Sequence, residues 1–311
     1  MRDVLSAWVY GPPMPSRRSS NTIPFAVACL GIALFSGMDA AMKGLAITLG
    51  AYNAMLWRVG IGVLISVGPY LYKHGGWPNR SNLRVHFLRG GVSAIMAVSF
   101  FYGIARVPLA EGIALSFIAP LIALYLAVVL LGEKVGRHSV IASILGIIGV
   151  SVLLAARIGT TGDRNLLGVA AILLSAIFYA WNIILMRQQA LLASPTEVTF
   201  FQNVTTGCFL LLAAPFLAVV PDVRHVPMLA LAAALAFCSL LLLSWAYARA
   251  EAQVLVPVEY TAFVWAAIMG AIFYAEPVTG TTIAGASFIV AGCVIAARGG
   301  RPDISKLEAA V

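Results

Sequence analysis

The feature that most constrains this chain is an internal duplication at a constant spacing of 143 residues. The segment 101–133, FYGIARVPLAEGIALSFIAPLIALYLAVVLLGE, recurs later in the chain in weakened form, with an apolar stretch between the same two charged residues. The aligned positions are Arg106 with Arg249, Glu133 with Glu276, and residues 35–39 (FSGMD) with residues 178–182 (FYAWN). A repeat of this length indicates one structural unit that is used twice.

The composition excludes a soluble globular protein. Hydrophobic residues make up 61% of the chain and charged residues 10%, whereas soluble domains carry about 25% charged residues. Ten apolar runs approach the ~20 residues that cross a bilayer, and only helices satisfy their own backbone groups in lipid. We therefore predict an all-α membrane protein with ten transmembrane helices. The runs are 23–42, 54–72, 88–105, 109–131, 139–156, 166–185, 198–220, 227–248, 252–275 and 279–297.

The placement of basic residues predicts the orientation. Of the 20 Lys and Arg residues, 14 fall on one side of the predicted spans and five on the other, and basic loops stay in the cytoplasm. Both termini should be cytoplasmic, in the inner membrane, so the net charge of +8 does not indicate nucleic-acid binding. Five spans per repeat make the second repeat inverted, an arrangement typical of transporters. The predicted units are a cytoplasmic tail (1–22), two repeats (23–157 and 166–298) and a C-terminal cytoplasmic tail (299–311).

A set of ordered motifs resembles the drug/metabolite transporter superfamily, EamA type, over residues 23–298. The residues that carry the resemblance are Tyr102, Ala105, Arg106, Pro108, Ala110, Ser116, Pro120, Gly132, Glu133, Gly146, Gly149 and Val150. Within that superfamily, the run 35–43 followed by Leu56-Trp57-Arg58 is similar to the branch for S-adenosylmethionine or riboflavin uptake. Related branches export amino acids, metallophores and drugs. The resemblance implies a cavity walled by helices 1, 3, 4, 6, 8 and 9.

Ionisable residues inside the first two spans are candidate substrate contacts. A charge at the centre of a span costs about 2.5–3.5 kcal/mol on insertion scales, so it needs a partner or a purpose. We expect Asp39 and Arg58 to form an ion pair, or to share a network with Lys43, which lies one turn from Asp39. Two interpretations stay open. The pair either contacts substrate or only fixes the register of the two helices.

Glu259 is the candidate coupling residue. A carboxylate in span 9, two residues after Pro257, can bind a cationic group of the substrate or take up a proton. Its equivalent in the first repeat is Ser116. The alternative is a glutamate that reaches water from the cytoplasmic end of the helix. Pro120 and Pro257 should kink their helices and free backbone carbonyls.

Aromatic and amide side chains complete the predicted site. Mid-span aromatic rings can stack on a planar or cationic ligand, although such rings also pack in cores or face lipid. The amide of Asn182 needs a hydrogen-bonding partner in lipid. The predicted substrate contacts are Asp39, Arg58, Phe35, Phe100, Ser116, Asn182, Trp181, Glu259 and Phe263.

Missing motifs narrow the function further. The sequence has no G-x-x-x-x-G-K-[ST], H-E-x-x-H or G-x-S-x-G motif, which disfavours an ATP-driven pump or an enzyme. The cysteines lack metal spacing, and we expect all four histidines to lie in polar connections, so no cofactor or metal is predicted. The leading prediction is a secondary transporter of a small organic metabolite, driven by protons or by the substrate gradient. The rivals are a membrane-embedded enzyme and a non-transporting assembly or sensor subunit, and no motif predicts an oligomeric state.

Overall fold

The structure, a computed structural model, describes residues 22–73, 77–119, 121–122, 137–155, 163–247, 258 and 261–299. These residues form ten α-helices and one short 3-10 helix (Val223–His225). The helices are α1 (Thr22–Leu49), α2 (Ala51–Lys73), α3 (Arg80–Ile104), α4 (Leu109–Ser116), α5 (Arg137–Ala155), α6 (Asp163–Leu192), α7 (Pro195–Leu217), α8 (Val226–Tyr247), α9 (Thr261–Tyr274) and α10 (Gly280–Gly299).

Short connections with clear end signals make several consecutive helices antiparallel. Gly50 alone joins α1 to α2, and its φ of +79° lies in the left-handed region that favours glycine. The side chain of Asn79 accepts a hydrogen bond from the backbone N–H of Asn82 at 2.8 Å and so caps α3. Ser194 caps α7 in the same way, directly before a proline at the first helical position.

Equivalent helices of the two repeats pack against each other in opposite directions. Between α2 and α7, the hydroxyl of Tyr52 donates to the carbonyl of Leu210 at 2.6 Å near one end. Near the other end, Tyr70 stacks on Phe200 with ring centroids 4.6 Å apart. Because α2 and α7 are the same helix of the duplicated unit, their antiparallel packing confirms the inverted repeat.

The other contacts between helices of the two halves follow the same symmetry. α1 packs on α8, and its equivalent α6 packs on α3, while α5 packs on α10. The last pair is close because Gly149 and Gly285 face each other, and a Cβ at Gly149 would lie 2.6 Å from the carbonyl oxygen of Gly285. Each half therefore contributes helices to the core of the other.

The helices have the length and composition of membrane spans. Within the described residues, five are long and apolar enough to cross a bilayer: Ile23–Leu49, Ala51–Tyr72, Asn82–Ile104, Thr196–Leu217 and Val223–Leu243. Shorter apolar helical segments occur in α5, α6, α9 and α10. The protein is thus an all-helical, multi-pass membrane protein, as predicted.

Three helices extend past a predicted bound by seven or eight residues, and all three extensions contain charged residues. One of them is α6, which ends at Leu192 instead of residue 185. α1 continues to Leu49 instead of ending at residue 42, and α3 begins at Arg80 instead of residue 88. His86 lies inside α3 with none of its surface exposed, so the prediction that it lies in a polar connection is wrong. The physical reason is that partners from other helices satisfy these polar side chains. Pro120, Pro257 and residues 123–131 and 252–257 lie outside the described residues.

Candidate functional site

Asp39 and Arg58 lie on neighbouring helices and influence each other electrostatically. Asp39 of α1 is 3% exposed. Arg58 of α2 donates from Nη2 to the sulfur of Met55 at 3.4 Å, a weak acceptor. Its Nε is buried and has no hydrogen-bond partner among the described residues. The expected direct ion pair is not formed in this structure, so the Arg58 guanidinium keeps donors for another acceptor.

The hydrogen bonds of Lys43 that the described residues define run to the connections after α3 and α9, and the shared network with Asp39 and Arg58 stays a prediction. Nζ of Lys43 donates to the carbonyl of Val107 at 2.6 Å and to Oε1 of Glu276. The other carboxylate oxygen of Glu276 accepts from the backbone N–H of Leu109 at 2.8 Å, at the start of α4. We call Lys43, Glu276, Val107 and Leu109 the lysine cluster. It joins α1 to the connections after α3 and α9, and so links the two halves.

Asn182 of α6 is buried and has the partners that an amide in lipid requires. Its Oδ1 accepts from Nε of Arg89 at 3.1 Å and from the hydroxyl of Ser93 at 3.2 Å. Both partners belong to α3, so Asn182 joins the second half to the first. Asn182 aligns with Asp39 in the duplication, which makes the two side chains the matching polar positions of α6 and α1.

A larger polar network continues from Arg89 along the same helices. Nη1 of Arg89 donates to Oε1 of Gln189, and Nε2 of Gln189 faces Nδ1 of His86. Nε2 of His86 lies 3.2 Å from Oε1 of Glu197 in α7. We call His86, Arg89, Asn182, Gln189 and Glu197 the histidine network. His86, Arg89 and Gln189 are 0%, 8% and 1% exposed.

This network was not predicted from the sequence, although one signal was available. His86, Arg89 and Ser93 lie at spacings of three and four residues, which places them on one face of a helix. The predicted span begins at residue 88, so it leaves His86 in a connection and treats Arg89 as a basic residue at the end of the span. Glu276, by contrast, lies in a turn as expected and also accepts from the first turn of α4, where a carboxylate is favourable.

The remaining predicted contacts differ in their surroundings. Phe35 and Trp181 each leave 43% of their surface exposed, as rings that face lipid or an open cavity do. Phe100 and Phe263 pack against the main hydrophobic core. Ser116 donates to the carbonyl of Gly112 at 3.0 Å within its own helix. Glu259 lies outside the described residues, and its role stays a prediction.

The geometry therefore separates polar side chains into three levels. In α1, Lys43 lies one turn further along than Asp39, and in α6 Gln189 lies about two turns beyond Asn182. The lysine cluster is thus near one end of the bundle and the histidine network extends toward the other. Asp39 and Arg58 lie between them, and Asn182 is the member of the histidine network that is nearest to this middle level. Such an arrangement can hold a polar solute in the middle while the polar contacts at each end open or close.

Comparison with known proteins agrees with this architecture. The model of the EamA-like transporter family matches residues 22–155 and again residues 166–298. The chain belongs to the EamA-like transporter family. The family match confirms the resemblance and makes the protein a membrane transporter with a small-molecule substrate. A solved crystal structure with 20% identity has a TM-score of 0.57 and covers 90% of this chain and 97% of its own, which supports the fold alone.

Named relatives of this EamA-like chain differ in direction of transport. The pseudopaline exporter CntI of Pseudomonas aeruginosa is 27% identical over 88% of this chain and 95% of its own length. An S-adenosylmethionine uptake transporter of Rickettsia felis is 24% identical over 84% and 87%. Since both an exporter and an uptake transporter are similar to the chain, the narrower resemblance to the uptake branch stays a prediction.

Proposed function

We propose that this EamA-family protein is a secondary transporter that moves a small, polar organic metabolite across the cytoplasmic membrane by alternating access. The observation that carries the proposal is that Asp39 is buried and that Nε of Arg58 is buried without a hydrogen-bond partner among the described residues, while the two side chains form no direct ion pair. A buried charged donor that lacks an acceptor is costly unless a ligand or water satisfies it. A substrate with a complementary anionic or polar group would satisfy it.

Alternating access follows from the architecture that the proposal assumes. In inverted repeats, one half rocks against the other around a site near the middle of the membrane. The lysine cluster joins the halves on one side of Asp39, and the histidine network joins them from Asn182 toward the opposite end. Breaking one set of contacts while keeping the other would expose the middle level to one side at a time.

A binding screen tests the site. The purified protein should be heated with S-adenosylmethionine, riboflavin or pseudopaline, the substrates suggested by the resemblance and by the relatives. A ligand at 100 times its Kd adds about 2.7 kcal/mol to the stability of the native state and so raises Tm. We expect Asp39→Asn and Arg58→Gln to abolish the rise in Tm. Asp222→Asn is the matched control, because Asp222 pairs with Arg224 on the exposed surface.

Direction of transport is tested with the ligand that the screen identifies. Export is favoured by the greater identity and coverage of the exporter relative, 27% over 88% of the chain against 24% over 84%. Proteoliposomes loaded with the labelled ligand, and vesicles with the ligand outside, compare the two directions under the same pH gradient. Retained transport in both Asp39→Asn and Arg58→Gln would contradict the proposed site.

We also propose that both termini face the cytoplasm. Lys43 and Arg89 are buried in the bundle, so neither counts as a loop residue. Without them, 13 Lys and Arg residues lie on the proposed cytoplasmic side of the spans and four on the other side. Single cysteines at Trp77 and Val219, both exposed, should react with an impermeant thiol reagent from opposite sides of intact cells. The native cysteines must first be replaced. Labelling of Trp77→Cys from outside the cell would reverse the proposed orientation.

A further inference from the structure

The two ring nitrogens of His86 have different roles. The hydrogen-bond donors of Arg89 determine which nitrogen carries the proton. An arginine side chain has only donors, so the Gln189 atom that faces Arg89 must be the amide oxygen. The amide NH2 of Gln189 is therefore the group that faces Nδ1 of His86. Nδ1 accepts that hydrogen bond, and the ring proton is on Nε2, which donates to Glu197 at 3.2 Å. His86 is thus held neutral in one tautomer.

A second proton on this ring conflicts with the contact to α6. Protonation of Nδ1 would place its N–H against the N–H of Gln189, and the hydrogen bond would be lost. Gln189 cannot turn its oxygen to the ring, because Arg89 would then face the amide donor. The added positive charge would also lie near Arg89, which already acts on His86 electrostatically. His86 can therefore take a proton only when Gln189, and with it α6, moves away from α3.

Once Gln189 has left, the Glu197 carboxylate favours the protonated form of the ring, whereas the Arg89 cation opposes it. Among the described side chains, the charged groups that act on the ring are Glu197 from α7 and Arg89 from α3. Tyr70 from α2 interacts with Glu197. α6 contributes the neutral Gln189. Phe201 of α7 stacks on the imidazole with centroids 4.9 Å apart. With Gln189 absent, an imidazolium would pair directly with the Glu197 carboxylate.

We propose that His86 and Glu197 form a proton-binding site that is empty while α6 contacts α3 and is filled when the two helices separate. The inference rests on the proposed function, because separation of α6 from α3 is the step that would open this end of the transporter. Binding and separation are linked reciprocally, so protons favour the open end and opening raises the affinity for protons. The site therefore lets the pH at this end of the protein bias the equilibrium between its closed and open forms.

The protonation state can be read directly by nitrogen NMR of the imidazole. We would replace His74, His138 and His225 by Gln in the full-length protein, so that His86 carries the only 15N-labelled imidazole. At about pH 5.5 an unrestrained histidine is ~90% doubly protonated. We expect the single-histidine protein to show mostly the neutral Nε2–H tautomer. A predominantly doubly protonated ring, with the helices in contact, would overturn the proposal.

Gln189→Glu is the matched variant. A glutamate is nearly isosteric, keeps an oxygen for Arg89, and presents a second oxygen to Nδ1 in place of the NH2 group. We expect His86 in this variant to be doubly protonated at about pH 5.5, with a titration midpoint about two pH units above that of the parent. Equal midpoints in parent and variant would contradict the role of Gln189. An unchanged elution volume in size-exclusion chromatography shows that the variant is folded.

Separation of the helices is measured with spin labels. Arg84 of α3 is exposed and Ala193 directly follows α6, so nitroxides on cysteines at these two positions report the gap between α3 and α6. We expect the long-distance population to grow at least about threefold from pH 7.5 to 5.5 in the parent, and to stay constant in Gln189→Glu. A distance distribution independent of pH in the parent would refute the linkage.

These measurements separate the proton site from the transport proposal. Neither of them needs a substrate, so a transporter whose His86 titrates like an unrestrained histidine would retain its function and lose only this site. Conversely, Glu197→Gln should lower the titration midpoint of His86 in the Gln189→Glu background, because the counter-charge is gone. No change in that double variant would remove Glu197 from the site.

Discussion

The two ends of the bundle are built from the same duplicated helices but are held closed by different chemistry. The lysine cluster joins a cation to a carboxylate, with two backbone groups as additional partners. The histidine network surrounds a cation with two amide oxygens, and its carboxylate is reached only through His86. The first end is therefore held by direct charge pairing and the second by oriented neutral groups, which a proton can reorganise.

The repeat shows that the polar residues diverged while the backbone did not. The positions equivalent to His86, Arg89, Gln189 and Glu197 are as buried as the network itself, but they are apolar. They are Leu229 (1% exposed), Ala232 (0%), Ala46 (6%) and Ala54 (0%). Lys43 corresponds to Met186. A symmetric scaffold thus carries asymmetric contacts, which lets the open and closed states of the two ends differ in energy.

The largest expected effect is at the lysine cluster. Lys43→Met installs the residue found at the equivalent position of the second repeat and leaves the Glu276 carboxylate without its cation. Removing one partner of a buried ion pair costs about 3 kcal/mol or more; with Lys43 4% and Glu276 19% exposed, we expect about 3 kcal/mol. Denaturant unfolding in detergent micelles measures the loss.

The control for Lys43→Met is Arg224→Met, which breaks an ion pair whose side chains are 76% and 58% exposed. That change should cost about 0.5 kcal/mol, since exposed pairs contribute little. In addition, Glu276→Gln should lower the unfolding free energy less in the Lys43→Met variant than in the parent protein, because the two residues interact. Equal costs for Lys43→Met and Arg224→Met would show that the lysine cluster does not hold its end of the bundle.

In the histidine network, the loss of unfolding free energy should depend on which partner is removed. Gln189→Leu leaves the buried Arg89 cation with one acceptor fewer and should cost about 2 kcal/mol. Arg89→Met removes the buried charge itself and should cost less, since burying that charge is unfavourable. The comparison of the two unfolding free energies checks the ordering. A larger loss for Arg89→Met would indicate that the network is held by charge pairing, like the opposite end.

The sequence analysis predicted the frame of the protein well and its polar contacts poorly. Ten apolar runs predicted ten helices, because backbone satisfaction in lipid leaves few alternatives. The spacing of 143 residues divided them into two repeats of five, and the odd number made the second repeat inverted. The spacing also aligned Asp39 with Asn182. The pairing of Lys43 with Glu276 could not be predicted, because the two residues are 233 positions apart and no local pattern records which helices meet. His86 was assigned to a polar connection, and Arg89 was treated as a basic residue at the end of a span, because hydropathy ignores partners on other helices.

The smallest effects should come from single neutral hydrogen bonds, one at each end. Tyr274→Phe removes a hydroxyl that donates to the carbonyl of Ala40, beside Lys43. Ser93→Ala removes the hydroxyl that donates to Oδ1 of Asn182, and this oxygen keeps its hydrogen bond to Arg89. Each should cost about 1 kcal/mol in unfolding free energy. If the two ends differ because of their charged groups, these neutral changes must be equal within about 0.5 kcal/mol. A clear excess at Ser93 would mean that the network acts cooperatively, so that loss of one neutral donor weakens the contacts of Arg89 as well.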